Sequence, residues 1–166
     1  MKIKHILVPI DFSANSLQAL DYAVDFSKPF KAQLMVLHVV EPIYYEMPDF
    51  TGASGAAMAG VFDDLHRAAH DQLARLERTY AKRRVKLRAL LQTGVASEAI
   101  VDAGKQLKAD LIIMTTHGRS GVAHLLMGSV AERVVRSATC PVLTLRAGQR
   151  ARRASARKRP AARKRA

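Results

Sequence analysis

The sequence predicts an α/β protein: a doubly wound, five-stranded parallel sheet in the order 3-2-1-4-5 with helices on both faces. Three observations carry that prediction. Short, nearly continuous apolar runs recur along the chain and read as strands buried on both faces, as parallel strands are. Between them lie segments with apolar residues at steps of three and four, the period of amphipathic helices. The two kinds alternate as βαβαβαβαβ, and right-handed crossovers with the commoner small-domain order then give 3-2-1-4-5.

His5 to Ile10 is the first strand, stopping at Asp11-Phe12-Ser13 with Ser13 placed to cap the following helix. Leu17, Leu20 and Val24 recur at helical spacing, so that helix runs to about Lys28, before Pro29. Gln33 to Val40 is the second strand, ended by Pro42. Residues 41 to 60, with two prolines and three glycines, read as a long loop. Phe62, Leu65, Ala69, Leu73, Leu76 and Tyr80 then mark an amphipathic helix from Val61 to about Arg84. Val85 to Gln92 is the third strand, Ala96 to Lys108 a helix weakened by Gly104, and Asp110 to Thr116 the fourth strand. Ser129 and Glu132 have the spacing of a capping box, which makes Ser129 the N-cap and Val130 the first residue of the last helix, ending near Ser137. Pro141 to Arg146 is the fifth strand.

The formal charge of +13 on 166 residues belongs mostly to one end. Residues 147–166 hold nine Lys or Arg and no Asp or Glu, leaving 18 basic against 14 acidic residues, a net +4, for residues 1–146. This divides the chain into a folded domain, 1–146, and a basic tail, 147–166, without large apolar residues and expected to be disordered. A single cysteine, Cys140, excludes an intramolecular disulfide and reads as a small buried residue. No apolar stretch has the length of a signal peptide or a membrane span, so the expectation is a soluble, cytoplasmic protein without membrane association.

In the predicted strand order the chain reverses between strands one and four, and a ligand crevice opens outside their carboxyl ends. Asp11 ends strand one, and a glycine-rich stretch with Gly118, Gly121 and Gly128 follows strand four and leads into a helix start. Unpaired N–H groups and the helix dipole make such a start an anion site, and phosphate is its natural occupant. The phosphate chemistry is neither that of a Walker NTPase nor that of a Rossmann dinucleotide site, since neither glycine signature is present. His66 and His70 stand four apart with Asp63 nearby, but without a third ligand they read as a solvated helix face. Asp11 is both a turn residue and a candidate for a ribose hydroxyl or Mg2+.

Five separate stretches resemble the universal stress protein family: Val8-Pro9-Ile10-Asp11-Phe12-Ser13, Leu37-His38-Val39-Val40, Thr116-His117-Gly118-Arg119-Ser120-Gly121, Gly128-Ser129-Val130-Ala131-Glu132-Arg133-Val134 and Cys140-Pro141-Val142-Leu143. The resemblance covers residues 3 to 146. It implies a nucleotide-binding fold, a homodimer paired through the last strand (residues 141–146) and a role in stress response. The ATP-binding branch carries G-x2-G-x9-G-[ST]; Gly118, Gly128 and Ser129 fit it, and Thr115 replaces its first glycine. By that resemblance Pro9, Asp11 and Val39 surround adenine and ribose, Ile10 belongs to the nucleotide site, Met114 and Thr115 lie beneath the nucleotide, and Gly118, Gly128, Ser129 and Val130 hold the phosphates. Arg119 is placed to add charge, and Mg2+ accompanies the ATP near Asp11.

No general base with a visible partner stands in the motif, so the expectation is a nucleotide-dependent dimeric switch with at most slow ATP hydrolysis, not an enzyme. The alternative is a nucleotide-free dimeric scaffold whose tail binds nucleic acid or acidic partners. Lacking aromatic residues to stack on bases, the tail would bind nucleic acid through phosphates, without sequence preference.

Overall fold

The computed structural model describes residues 2–42, 53–116 and 127–146. Nine elements follow in order: β1 (His5–Pro9), α1 (Ala14–Ser27), β2 (Gln33–Val40), α2 (Ala53–Lys82), β3 (Leu87–Thr93), α3 (Ala96–Gln106), β4 (Leu111–Thr115), α4 (Ser129–Ser137) and β5 (Val142–Leu145). The strands form one sheet in the order β3-β2-β1-β4-β5, every neighbouring pair parallel. The predicted topology is therefore the observed one.

Successive strand residues point to opposite faces, and here both faces are covered. Ile6, Val8, Leu34, Val36, Leu111 and Ile113 meet Leu20, Ala23 and Val24 of α1 and Leu73 and Tyr80 of α2 on one side. Leu7, Met35, Leu37, Ile112 and Met114 meet Ile100, Val101 and Ala103 of α3 and Ala131 and Val134 of α4 on the other. Two helices on each face explain why the strand runs are apolar at nearly every position. Among the described residues β5 lies at an edge, paired with β4 alone, and each of its four residues is half-buried.

The differences from the predicted elements have local causes. α2 begins at Ala53, eight residues before the predicted Val61, inside the segment read as loop. Ala53, Ala56, Ala57 and Ala59 favour helix strongly enough to outweigh Gly55 and Gly60. The rest of that loop reading, residues 43–52, lies outside the described residues. α3 stops at Gln106 instead of Lys108, because Lys108 turns to φ +50° and Ala109 N–H closes back on Gly104 C=O at 2.9 Å. Lys31 and Arg84 adopt the same left-handed backbone, with matching closures from Ala32 to Ser27 and from Val85 to Tyr80. Those turns move the start of β3 to Leu87. β4 and β5 are each one residue shorter at both ends than predicted, as isolated strand ends are.

α2 is fastened to α1 by a polar cluster. Tyr80 Oη donates to Asp21 Oδ1 at 3.0 Å, Arg83 Nη1 donates to the same oxygen at 2.8 Å, and the guanidinium lies 4.9 Å from the Tyr80 ring centre. Burial, followed by the nearby Asp21 carboxylate, pushes the Tyr80 phenol up to about 12.

Gly104 faces the sheet from α3, where an added Cβ would meet Ile112 Cδ1 at 3.5 Å and Leu7 Cδ2 at 4.0 Å, ordinary contact distances. Gly104→Ala is expected to stabilise the fold by about 0.5–1 kcal/mol by removing helix-glycine entropy, measured as a higher urea midpoint at unchanged slope. A lower midpoint would show that α3 has no room to give.

Asp110 joins the starts of β4 and β1: its Oδ2 accepts from Lys4 N–H at 2.7 Å and from His5 N–H at 2.9 Å, while its own N–H donates to His5 C=O at 2.9 Å. The two backbone donors hold its carboxyl below the usual carboxylate range. A depressed folded pKa means that the unfolded chain takes up the proton first as pH falls. The stabilisation is therefore present above the ordinary carboxylate range and is lost as pH falls toward the lowered value. Asp110→Asn is expected to flatten this acid limb in urea titrations from neutral pH downward; an unchanged limb would assign acid sensitivity elsewhere.

Candidate functional site

A right-handed parallel sheet brings all its strand carboxyl ends to one edge, and a cavity of about 560 Å3 opens there. Its size falls in the range of small-molecule sites, roughly 300–1,000 Å3. Pro9, Ile10 and Asp11 enter it from β1, Leu37 to Glu41 from β2, Met114, Thr115 and Thr116 from β4, and Gly128 to Ala131 from the start of α4. Leu65, Ala68, Ala69 and Gln72 of α2 form one flank, and Ala96 and Ile100 of α3 contribute to the lining. Of the residues singled out from sequence, Pro9, Ile10, Asp11, Val39, Met114, Thr115, Gly128, Ser129 and Val130 all line this cavity. Gly118 and Arg119 lie outside the described residues.

The turn after β1 is built to hold Asp11. Ser13 N–H donates to Asp11 Oδ1 at 3.0 Å, closing an Asx turn, and Asp11 N–H donates to Ser16 Oγ at 3.3 Å. Ser16, only 3% exposed, also donates from Oγ to Ser13 C=O at 3.0 Å. Between them Phe12 takes φ +61°, a left-handed backbone that costs a side-chain-bearing residue roughly 1 kcal/mol. Its ring lies 4.5 Å from that of His38, whose Nδ1 pairs with Ile10 C=O at 2.8 Å. The strained turn is thus fixed from β2 as well as from α1.

Three helix starts discriminate between anion sites. At α1, Ser13 Oγ accepts from Ser16 N–H at 3.2 Å, and that start is capped. At α3 the N-cap is Val95, which has no side-chain cap, and Glu41 from the end of β2 supplies one, its Oε1 accepting from Ala96 N–H at 2.9 Å. At α4 the predicted capping box does not form. Gly128, extended at φ −74° and ψ 155°, is the N-cap, and Ser129 is already the first helical residue. The chain turns one position earlier than the Ser129–Glu132 spacing suggests, so the cap is a glycine without a side chain. The Glu132 carboxylate pairs instead with Arg136 at 3.0 Å. The first intrahelical bond is Glu132 N–H to Gly128 C=O at 3.0 Å, and among the described residues the N–H groups of Ser129, Val130 and Ala131 meet no intrahelical or side-chain acceptor. All three residues line the cavity. Gly128 N–H donates to Thr116 C=O at 2.7 Å and fixes this start against the end of β4.

The other candidates fall elsewhere. His66 Nε2 pairs with Thr93 Oγ1 at 2.8 Å, and its ring lies 4.7 Å from that of Phe62. Among the described residues no three His, Cys, Asp or Glu side chains gather to hold a metal. Cys140 is half-buried against the core on the α3 and α4 face, and burial raises its thiol pKa. A second hollow of about 450 Å3, lined by Ser97, Glu98, Val101, Asp102, Arg133 and Ser137, takes its walls from α3 and α4 alone.

A model of the universal stress protein family matches residues 2–146. The chain belongs to the universal stress protein family. It is 32% identical over 144 residues to a universal stress protein of Methanocaldococcus jannaschii, covering 86% of this chain and 82% of that one. Its fold matches that of universal stress protein UspA from Lactobacillus plantarum with a TM-score of 0.77, at 26% identity and covering 88% of this chain and 99% of that one. A universal stress protein from Archaeoglobus fulgidus, solved in complex with dAMP, shares the fold with a TM-score of 0.56 at 19% identity, covering 87% of this chain and 98% of that one. Thr115 lies on the cavity wall at the end of β4.

Sequence reasoning missed Ser16, His38, Glu41 and the flank from α2. Ser16 had a signal, the Ser-x-x-Ser spacing from Ser13. Glu41 and Gln72 had none, because their roles depend on how β2 and α2 end up beside α3 and the strand edge. Ser16→Ala removes a buried hydroxyl that serves both Asp11 and Ser13, and is expected to cost about 1–2 kcal/mol in chemical denaturation. A loss below a few tenths would show that the turn holds itself.

Proposed function

We propose that the cavity binds ATP, its phosphates on the open N–H groups of Ser129, Val130 and Ala131. The single observation that carries this reading is that uncapped helix start on the cavity wall, where the starts of α1 and α3 have side-chain caps. Pro9, Ile10, Asp11 and Val39 would hold adenine and ribose, Met114 and Thr115 would underlie the nucleotide, and Gly118 and Arg119 would complete the phosphate loop. The dAMP complex of the Archaeoglobus fulgidus relative is consistent with an adenine nucleotide in a fold of this kind.

Magnesium fits as a companion of the nucleotide, since it is held mainly by phosphates and water with one or two carboxylates. Asp11 supplies the carboxylate on this side of the cavity. When bound, the metal would neutralise phosphate charge; this chain's own residues orient the nucleotide and shelter it. The reading is a binding switch in a stress response with at most slow hydrolysis, acting in the cytoplasm. The open edge of β5, at Val142–Leu145, is the surface offered for homodimerisation, since an unpaired strand edge seeks a partner.

A second reading rests on Thr115: with a side chain in place of the motif glycine, the domain serves as a nucleotide-free dimeric scaffold whose basic tail, 147–166, carries the partner contacts.

A thermal unfolding scan with and without Mg-ATP separates them. At about 100 times its dissociation constant, ATP adds about 2.7 kcal/mol, a rise of a few degrees for a domain of this size. The rise is expected in the native chain and absent in Gly128→Asp, whose carboxylate would stand at the phosphate position. No rise in the native chain would reject ATP binding and leave the scaffold reading.

A further inference from the structure

Phosphate at the start of α4 fixes the direction in which a base must point. α4 follows β4, and β2 stands two strands away in the sheet order β3-β2-β1-β4-β5, roughly 10 Å at the usual strand spacing. A nucleotide anchored beside the end of β4 therefore crosses the end of β1 and delivers its base to the end of β2. There the cavity is walled by Val39 and Val40 of β2 and by Leu65, Ala69 and Gln72 of α2. Those three α2 residues follow one another at steps of four and three, so one face of the helix is turned to the cavity.

The faces and the edge of a base make different demands on such a wall. Its faces are apolar, and Leu65, 42% exposed in the ligand-free protein, offers them apolar surface that is still open to water. Its edge carries amino and ring-nitrogen groups that lose water on entry and cost free energy unless they are hydrogen-bonded again. The base end of the cavity thus calls for a polar side chain with capacity to spare.

Most polar side chains of the lining are committed. Asp11 Oδ1 accepts from Ser13 N–H, Ser16 Oγ serves Asp11 and Ser13, His38 Nδ1 is held by Ile10 C=O, and Glu41 Oε1 caps α3. Gln72 makes no hydrogen bond among the described residues. Its carboxamide presents a donor and an acceptor side by side, the complement of the amino group and adjacent ring nitrogen of adenine, and glutamine pairs with adenine in this bidentate way in nucleic-acid recognition.

Resting on the nucleotide reading above, we propose that Gln72 reads the base, its carboxamide oxygen accepting from the exocyclic amino group of adenine and its NH2 donating to the neighbouring ring nitrogen. α2 thereby contributes a specificity-determining residue to a site otherwise built from strand ends and helix starts. The selectivity it confers is for a purine with an amino group at the 6-position over one without it.

The test is calorimetry on the full-length native chain, Gln72→Leu and Gln72→Glu, each with ATP and with purine riboside triphosphate, which differs from ATP only in lacking that amino group. The native chain is expected to bind ATP about three- to tenfold more tightly than the analogue, the effect of one hydrogen bond. Gln72→Leu is expected to bind the two equally, and Gln72→Glu, whose carboxylate still accepts from the amino group, to keep a preference for ATP. Gln72 is exposed on its helix, and the readout is a ratio within one protein, so a general weakening of the fold cancels. A preference of native size in Gln72→Leu would overturn the proposal while leaving the nucleotide site standing. Equal binding of the two ligands by the native chain, or by Gln72→Glu, would overturn it too, since the amino group would then have no acceptor at this position. A native chain that binds neither ligand would reject the nucleotide reading itself, and the proposal with it.

Discussion

Burial of both faces of a parallel sheet is the constraint from which the rest of this structure follows. Parallel strands cannot be joined by tight hairpins, so each connection must climb back across a face, and a helix does so while covering that face. Ile6 and Val8 against α1 and α2, and Leu7 with Ile112 against α3 and α4, show how a period of two divides one strand between two cores. A consequence of the same wiring is that strand ends and helix starts share one edge. The site does not need its own scaffold; it occupies the place where the sheet's connections begin.

The capping pattern at that edge then decides what the place is suited to. Helix starts repel cations and attract anions, and two of those at this edge are already satisfied by Ser13 and Glu41. At α4, among the described residues, no side chain caps the start, and Ser129, Val130 and Ala131 line the cavity. A glycine N-cap keeps that approach free of a side chain, and Thr116 holds it in register with β4. Asp11, also in the lining, is held in a turn whose left-handed Phe12 has Ser16 and His38 on either side of it.

Much of this was legible in the residues. A parallel sheet followed from apolar runs that leave no polar face, its order from right-handed crossovers and the commoner small-domain arrangement, and β2 appeared at its predicted limits, Gln33–Val40. Asp11 and the glycine-rich stretch followed from the reversal between β1 and β4, and Pro9, Val39, Met114 and Thr115 from the family resemblance. What was not legible depended on alternatives close in energy. The helix ends at Lys31, Arg84 and Lys108 use left-handed residues without the glycine that marks such ends in sequence. Ser129 satisfied a capping pattern that the backbone satisfied one residue earlier, since a serine at either position is compatible with the helix. Glu41 acts on a helix 55 residues away in sequence, and no local pattern encodes that contact.

Those three left-handed residues share a sign as well as a shape. Lys31, Arg84 and Lys108 stand at helix carboxyl ends, where a positive charge meets the negative pole of the dipole. They lie at the strand-start edge, opposite the cavity. The eight residues of β2 separate the two edges by about 26 Å, roughly three screening lengths at physiological salt. Exposed charges at the two ends are therefore largely screened from each other. An anion approaching one edge meets mainly the charges of that edge, and exposed charge altered at the far end of the sheet has little effect on the cavity.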